Sequence, residues 1–200
     1  MNKGEIVYCK MFFQCLEKKQ RTFTQLALAK ELSLSLSTVN AAIEPLERIG
    51  AITKANMGFR LIDPKKLLFL WASKRNLKKD VVYQTRTEIL LSQIEKSMPS
   101  NAIYAAYTAY KFRFNDVPAD YSEVYVYADE ETLKEIKTRF PEKSGPPNLI
   151  VLKSNNGLKQ TAEKGVCSVA NIFVDLWNLP TWYAKEFLQA LEKRIDEVIK

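Results

Sequence analysis

The side chain with the most specific chemistry in this chain is Asn40, whose amide can donate and accept at once and so can pair in bidentate fashion with the edge of adenine. Ser37, Ala41 and Glu44 stand at neighbouring positions at helical spacing, and Glu44 is tolerable beside a nucleic acid only where it accepts from a cytosine amino group. No Lys or Arg faces outward between residues 36 and 44, so attraction to phosphate must come from elsewhere. Lys54 and Arg60, with Arg21, Lys30 and Arg48 at the rim, are the cations best placed for it. Other chemistries are thinly provided. Histidine is absent, which removes the commonest general base and transition-metal ligand and excludes Ser–His and Cys–His catalysis. Cys9, Cys15 and Cys167 are odd in number and match neither a zinc cluster nor a disulfide framework, so they are expected as buried free thiols.

The elements that must hold Asn40 are legible around it. Ile6, Val7, Met11, Phe12, Cys15 and Leu16 recur at three- and four-residue steps, predicting an amphipathic helix with Glu5, Lys10, Glu17 and Lys18 off its buried stripe. Thr24 is placed to cap a second helix whose apolar face is expected to be Leu26, Ala27, Ala29 and Leu32. After a turn at Ser33-Leu34, Ser35 caps a third helix, with Thr38 supporting its first turn. Val39, Ile43, Leu46 and Ile49 form its buried face, which leaves Leu36, Ser37, Asn40, Ala41 and Glu44 outward. Pro45 lacks a backbone donor and predicts a kink or 3₁₀ turn. Ala51–Lys54 and Phe59–Ile62 flank the turn-prone Ala55-Asn56-Met57-Gly58, a hairpin. Two short helices at a tight turn followed by a hairpin read as a winged helix-turn-helix, a unit that usually sits on DNA with its third helix in the major groove. The reading depends on Asn40 being exposed and on Lys54 and Arg60 sharing a surface.

Asp63-Pro64 starts a further helix with Leu67, Leu68, Leu70, Trp71 and Ala72 buried, and the run Lys74-Arg75-Asn76-Leu77-Lys78-Lys79 reads as a solvated helix end and linker. A domain boundary is expected near Asp80, giving a 1–80 winged helix and an 81–200 α/β domain. Charge divides the same way. Residues 1–80 hold 15 Lys plus Arg against 7 Asp plus Glu, a balance of +8, whereas 81–200 hold 15 against 16, a balance of −1. The basic half is the expected footprint for a polyanion. At 46% hydrophobic the chain packs a core; with no apolar run of roughly 20 residues and no secretory leader, it is expected to stay off membranes and in the cytoplasm.

Past Asp80 the pattern alternates. Val81–Tyr83 is β-prone, Thr87–Ser97 and Ala102–Phe114 read as helices, and Glu123–Ala128 reads as a strand rich in β-branched and aromatic residues. Leu133 and Ile136 mark a helix, Leu149–Leu152 a second apolar strand, and two helices built on Val169–Trp177 and Tyr183–Val198 close the chain. An α+β or α/β layer follows. Trp71, Trp177 and Trp182 are expected in packing roles.

The short winged helix, the segment Ala102-Ile103-Tyr104-Ala105-Ala106-Tyr107-Thr108-Ala109-Tyr110, and Asn171-Ile172-Phe173-Val174-Asp175-Leu176 ahead of a terminal helix together resemble the AbiEi-like transcriptional regulators, the antitoxins of type IV abortive-infection toxin–antitoxin systems. The resemblance implies a repressor of the neighbouring toxin operon, with a nucleotidyltransferase-like enzyme as functional partner and a second domain serving antitoxicity or DNA affinity. It also suggests descent of that domain from restriction-nuclease folds, which place an Asp and a Glu-x-Lys on adjacent strand ends to hold Mg²⁺. Glu135-Ile136-Lys137 has the spacing but falls on a predicted helix, and Asp116, Asp120, Glu123 and Asp129 gather near a strand without a lysine. Neither the Gly-Ser with Asp-x-Asp of a nucleotidyltransferase nor a Gly-rich phosphate loop occurs. No enzymatic activity, cofactor or metal is therefore expected. The rival readings are a winged-helix protein-interaction module and a metal-dependent nuclease built on the acidic cluster. A homodimer fits the paired half-sites usual for the motif, although no heptad seam compels one.

Overall fold

The computed structural model describes residues 1–199. Its first helix, α1 (Lys3–Glu17), starts at Asn2, whose side chain accepts from the Glu5 backbone amide while the Glu5 carboxylate accepts from the Asn2 backbone amide. A two-residue strand β1 (Thr22–Phe23) leads into α2 (Gln25–Leu32), capped by Thr24, and α3 (Leu36–Arg48), capped by Ser35. Between them Ser33 takes a left-handed conformation with φ 54°, and the Leu34 amide returns to the Ala29 carbonyl, which closes the turn. The α-helical pattern of α3 runs on through Pro45, whose missing donor falls on the solvent side at exposed Ala41.

Strands β2 (Ile52–Ala55) and β3 (Gly58–Leu61) form the hairpin, and β1 pairs with the other edge of β3, so the small sheet runs β1-β3-β2. Gly58 allows this third strand. Its φ is +148°, and a Cβ built there would lie 2.1 Å from the Phe23 carbonyl oxygen. Asp63 then caps α4 (Pro64–Lys74), with Pro64 in its first turn.

After a single 3₁₀ turn at Leu77–Asp80 comes β4 (Val81–Thr85), then α5 (Leu91–Lys96), β5 (Ile103–Ala105), α6 (Ala106–Phe114), β6 (Val124–Ala128), α7 (Glu130–Arg139) and β7 (Leu149–Lys153). Helices α8 (Asn156–Thr161), α9 (Val169–Trp177) and α10 (Trp182–Ile199) complete the described chain. The four-stranded sheet runs β4-β7-β6-β5, with β6 and β7 parallel across α7 and both outer pairs antiparallel. Alternation along β6 and β7 divides the packing. Val124, Val126, Leu149 and Val151 lie with Ile94 and Ile136 in one apolar cluster, whereas Tyr127, Ile150 and Leu152 join α6, α9 and α1 in the other. The fold is thus an N-terminal winged helix followed by an α/β layer. The expected boundary at Asp80 falls between the two sheets, yet the larger apolar cluster runs from Leu46 and Trp71 to Tyr107 and Phe187, because α1 packs on α3 and α4 and also on α8 and α9.

Several local expectations are corrected. Ala102–Phe114 is not one helix: Ile103–Ala105 pairs with β6, its other edge exchanges hydrogen bonds with Gly165 and Cys167, and Ala106 at φ 48° turns the chain abruptly into α6. Thr87–Ser97 shortens to α5, since Asn148 holds the backbone of Thr87. On α2 the buried residues are Leu28 and Ala29, and Leu26 is 71% exposed. Trp71 is fully buried and Trp177, though half-exposed, packs on Phe69 of α4 and Phe173 of α9 as expected, but Trp182 is exposed. The three cysteines are buried and free.

The run after α4 is not a solvated end throughout. Arg75 is buried, donating 3.0 Å to Glu5 and 3.1 Å to the Tyr127 hydroxyl, pairing with Asp80, and lying 3.6 Å from Asp175. Glu5, expected off the buried stripe of α1, is buried for the same reason. Burial opposes the charge on Arg75, but Tyr127, Asp175, Glu5 and Asp80 together hold its pKa above the usual value. Burial also lifts the Asp175 carboxyl to about 6, against the pull of Arg75 and the Tyr127 hydrogen bond. This network fastens α1 and α4 to β6 and α9.

Candidate nucleic-acid interface

The geometry of the site begins at the α3 N-terminus. Ser35 Oγ accepts from the Thr38 amide at 3.2 Å and lies 2.7 Å from the Thr38 hydroxyl and 3.0 Å from that of Ser37, so the first turn is held by three hydroxyl groups. Val39, Ala42, Ile43 and Leu46 are buried beneath it. The same helical phase leaves Leu36, Ser37, Asn40, Ala41 and Glu44 exposed, as the spacing predicts, though Ile49 is partly exposed. Asn40 is accessible, and its Oδ1 accepts from Gln25 Nε2 at 3.1 Å. The free protein thus orients the amide before any base is met. Gln25, at the start of α2, was missing from the sequence-derived set; the signal available was its place directly after the Thr24 cap.

The cations are distributed differently from the expectation. Glu44 accepts from Arg48 at 2.9 Å, one turn apart on α3, and Lys54 pairs with Glu47 at 3.0 Å. Both carboxylates are thereby partnered, and both cations are exposed ion pairs that solvent and salt screen. Lys54 and Arg60 do not share a face. Lys54 sits opposite Phe59 and points with Ile52 toward α3, whereas Arg60 sits between Thr53 and Thr22 on the outer side of the hairpin. The cause is the two-residue period of a strand. Lys30 is exposed on α2. Arg21 is removed from the set: it donates to the Ile199 carbonyl at 2.7 Å, at the C-terminal end of α10, where a helix favours a cation.

The α3 surface instead borders a different cation. A cleft of about 360 Å³ is lined by Asn2, Gly4 and Tyr8 of the α1 end, Thr38 and Ala41 of α3, and Lys74 at the end of α4. Lys74 also lies 5.9 Å from the Tyr8 ring. Lys74 therefore stands at the shoulder of the α3 stripe, with exposed Lys78 and Lys79 following it in the chain. Spacing alone did not single Lys74 out, because its nearness to Thr38 depends on how α1 and α4 pack on α3.

The acidic residues weighed for metal chemistry go separate ways. Asp116 pairs with Arg194, Glu123 accepts from the Tyr183 hydroxyl at 2.5 Å, and Asp129 caps α7 and pairs with Lys159. Glu135 pairs with Arg139 one turn away on α7. Among the described residues no three His, Cys, Asp or Glu side chains are grouped to hold a metal ion. No described helix is long and apolar enough to cross a membrane.

A family model described as winged helix-turn-helix DNA-binding matches residues 14–53, which span the end of α1, β1, α2, α3 and the entry to β2. No curated protein and no solved structure matches the chain.

Proposed function

We propose, from the match to a winged helix-turn-helix DNA-binding model and from the exposed face of α3, that this chain is a transcriptional repressor that lays α3 in the major groove of its operator. The observation that carries the reading is the exposed stripe Ser37, Asn40, Ala41 and Glu44, held off the core by a doubly capped pair of helices. Asn40 and Gln25 supply base-edge hydrogen bonds, and Ala41 supplies apolar contact with a thymine methyl. Lys74, Lys54 and Lys30 contact phosphate around the stripe, and Arg60 does so only if the hairpin lies edge-on to the duplex. The finer reading is an antitoxin of a type IV system, repressing an operon that encodes a nucleotidyltransferase-like toxin and binding as a homodimer. Its support is the likeness of the Ala102–Tyr110 and Asn171–Leu176 segments to such regulators.

The partnered charges along α3 favour one rival, a winged helix that binds protein and not DNA. Anisotropy of a labelled duplex titrated at several salt concentrations decides between them. A regulator loses affinity steeply with salt, and each phosphate contact removed lowers the slope by about 1. Lys74→Ala should do so for matched and random duplex alike. Absence of duplex binding at low salt overturns the proposal, and a co-purifying toxin or a repressed reporter operon tests the finer reading.

A further inference from the structure

A second cleft lies far from α3 in sequence, in the α/β layer, and none of the preceding functional reading uses it. It is an open cleft of about 730 Å³, within the range of small-molecule sites. Ile89, Phe140 and Pro141 give it apolar walls, and Arg86, Arg139 and Lys143 bring three cations to its lining. The walls are braced by the fold. Asn148 accepts from the Thr87 amide at 2.7 Å and donates to the Thr87 carbonyl at 3.0 Å, while Thr85 Oγ1 donates to the Pro141 carbonyl and accepts from the Lys143 amide. Arg139 is steadied by the Ser97 carbonyl at 2.7 Å. The cleft is thus formed before any ligand arrives.

Two observations give the occupant its chemistry. Thr87 lines the cleft and is nine-tenths buried, and its Oγ1 has no hydrogen-bond partner, so the wall holds a polar group whose burial is uncompensated. Glu88, on the exposed loop after β4, reaches Lys143 at 3.2 Å and Arg86 at 3.7 Å, so a carboxylate of the chain itself rests on two of the cations. Glu142 at the rim is the remaining carboxylate of the lining.

We propose that this cleft binds a small amphipathic carboxylate, whose charged end displaces Glu88 from Arg86 and Lys143 and whose apolar body lies against Ile89, Phe140 and Pro141. The ligand carboxylate takes over the contacts that Glu88 makes to Arg86 and Lys143, while Arg139, itself paired with Glu135, adds to the positive field of the lining. The inference is independent of the DNA-binding reading, since it uses no residue of the winged helix.

The test is calorimetric titration of the full chain with octanoate, 4-phenylbutanoate and indole-3-butyrate, beside the neutral alcohols of the first two. Saturable binding of at least one carboxylate at one site per chain is expected, with its alcohol weaker by about tenfold, as the loss of a charged contact implies. Glu88→Gln should strengthen that binding severalfold by freeing the cations, and Arg139→Gln should weaken it. Both side chains are solvent-exposed, so these variants fold, and a melting curve on each checks that they do. Failure of all three carboxylates to saturate overturns the proposal. Equal affinity for acid and alcohol, or no gain in Glu88→Gln, overturns it as well, because the cations would then play no part.

Discussion

Replacing Arg75 with Met should destabilise the protein far more than any other change in the basic run that contains it. The side chain is 1% exposed and faces Glu5, Asp80 and Asp175, of which Asp175 is fully buried. Removing the cation leaves those carboxylates and the Tyr127 hydroxyl without their shared partner. Breaking a buried pair in this way costs about 3–5 kcal/mol, against a total of about 5–15 kcal/mol for a typical domain. For a chain of this size the melting temperature should fall by on the order of 10 °C. Urea denaturation at pH 7 and pH 5 measures it. The deficit should shrink at pH 5, because protonating the stranded carboxylates relieves part of the cost. Lys74→Met, one residue earlier and exposed, should change stability by about 0.5 kcal/mol or less. A double-mutant cycle with Glu5→Gln then separates the pair from the general loss of packing. An Arg75→Met deficit below about 1 kcal/mol, or one that ignores pH, would refute the view that this network fastens the winged helix to the α/β layer.

Three further outcomes follow from the same structure. Asp175 has a folded pKa of about 6, above its ordinary value, so it favours the folded state below about pH 4 and loses that advantage as pH rises to 6. Asp175→Asn should therefore gain up to about 3 kcal/mol on wild type between pH 4 and pH 7, and a difference that stays flat across denaturation curves at both values counts against the burial account. Gly58→Ala places a methyl against the Phe23 carbonyl at a positive φ, so β1 should detach; amide exchange at Phe59 and Leu61 should rise, and unchanged protection of both would contradict the strand pairing. Asn40→Ala should cost about 1–3 kcal/mol on one base pair of the operator, whereas an equal loss on random duplex would remove Asn40 from base reading.

The winged helix was legible because its signals are local. Thr24, Ser35 and Asp63 are caps that work through residues three positions on, and the outward stripe of α3 follows from helical phase alone. The strands at Val124–Ala128 and Leu149–Lys153 declare themselves by β-branched and aromatic content. Ile103–Ala105 does not, because its composition suits a helix and only pairing with β6 on one side and a single bridge to Val166 on the other make it β. Trp182 shows the opposite error, a large apolar side chain left 71% exposed, whereas Trp177 is half-exposed yet packs on Phe69 of α4 and Phe173 of α9.

Site chemistry divides along the same line. Residue order by itself determined which side chains face outward on α3 and that the first half of the chain is basic, since periodicity and charge are properties of neighbours. Only the tertiary structure decided which cations remain available. Arg21 is drawn to the end of α10 and Arg75 into a buried cluster, while Lys74 is brought beside Thr38 and Ala41 and Arg60 is turned from Lys54. Each of those outcomes depends on a partner distant in sequence or on strand register, and a charge on a long flexible side chain carries no local signal of where its counter-ion lies.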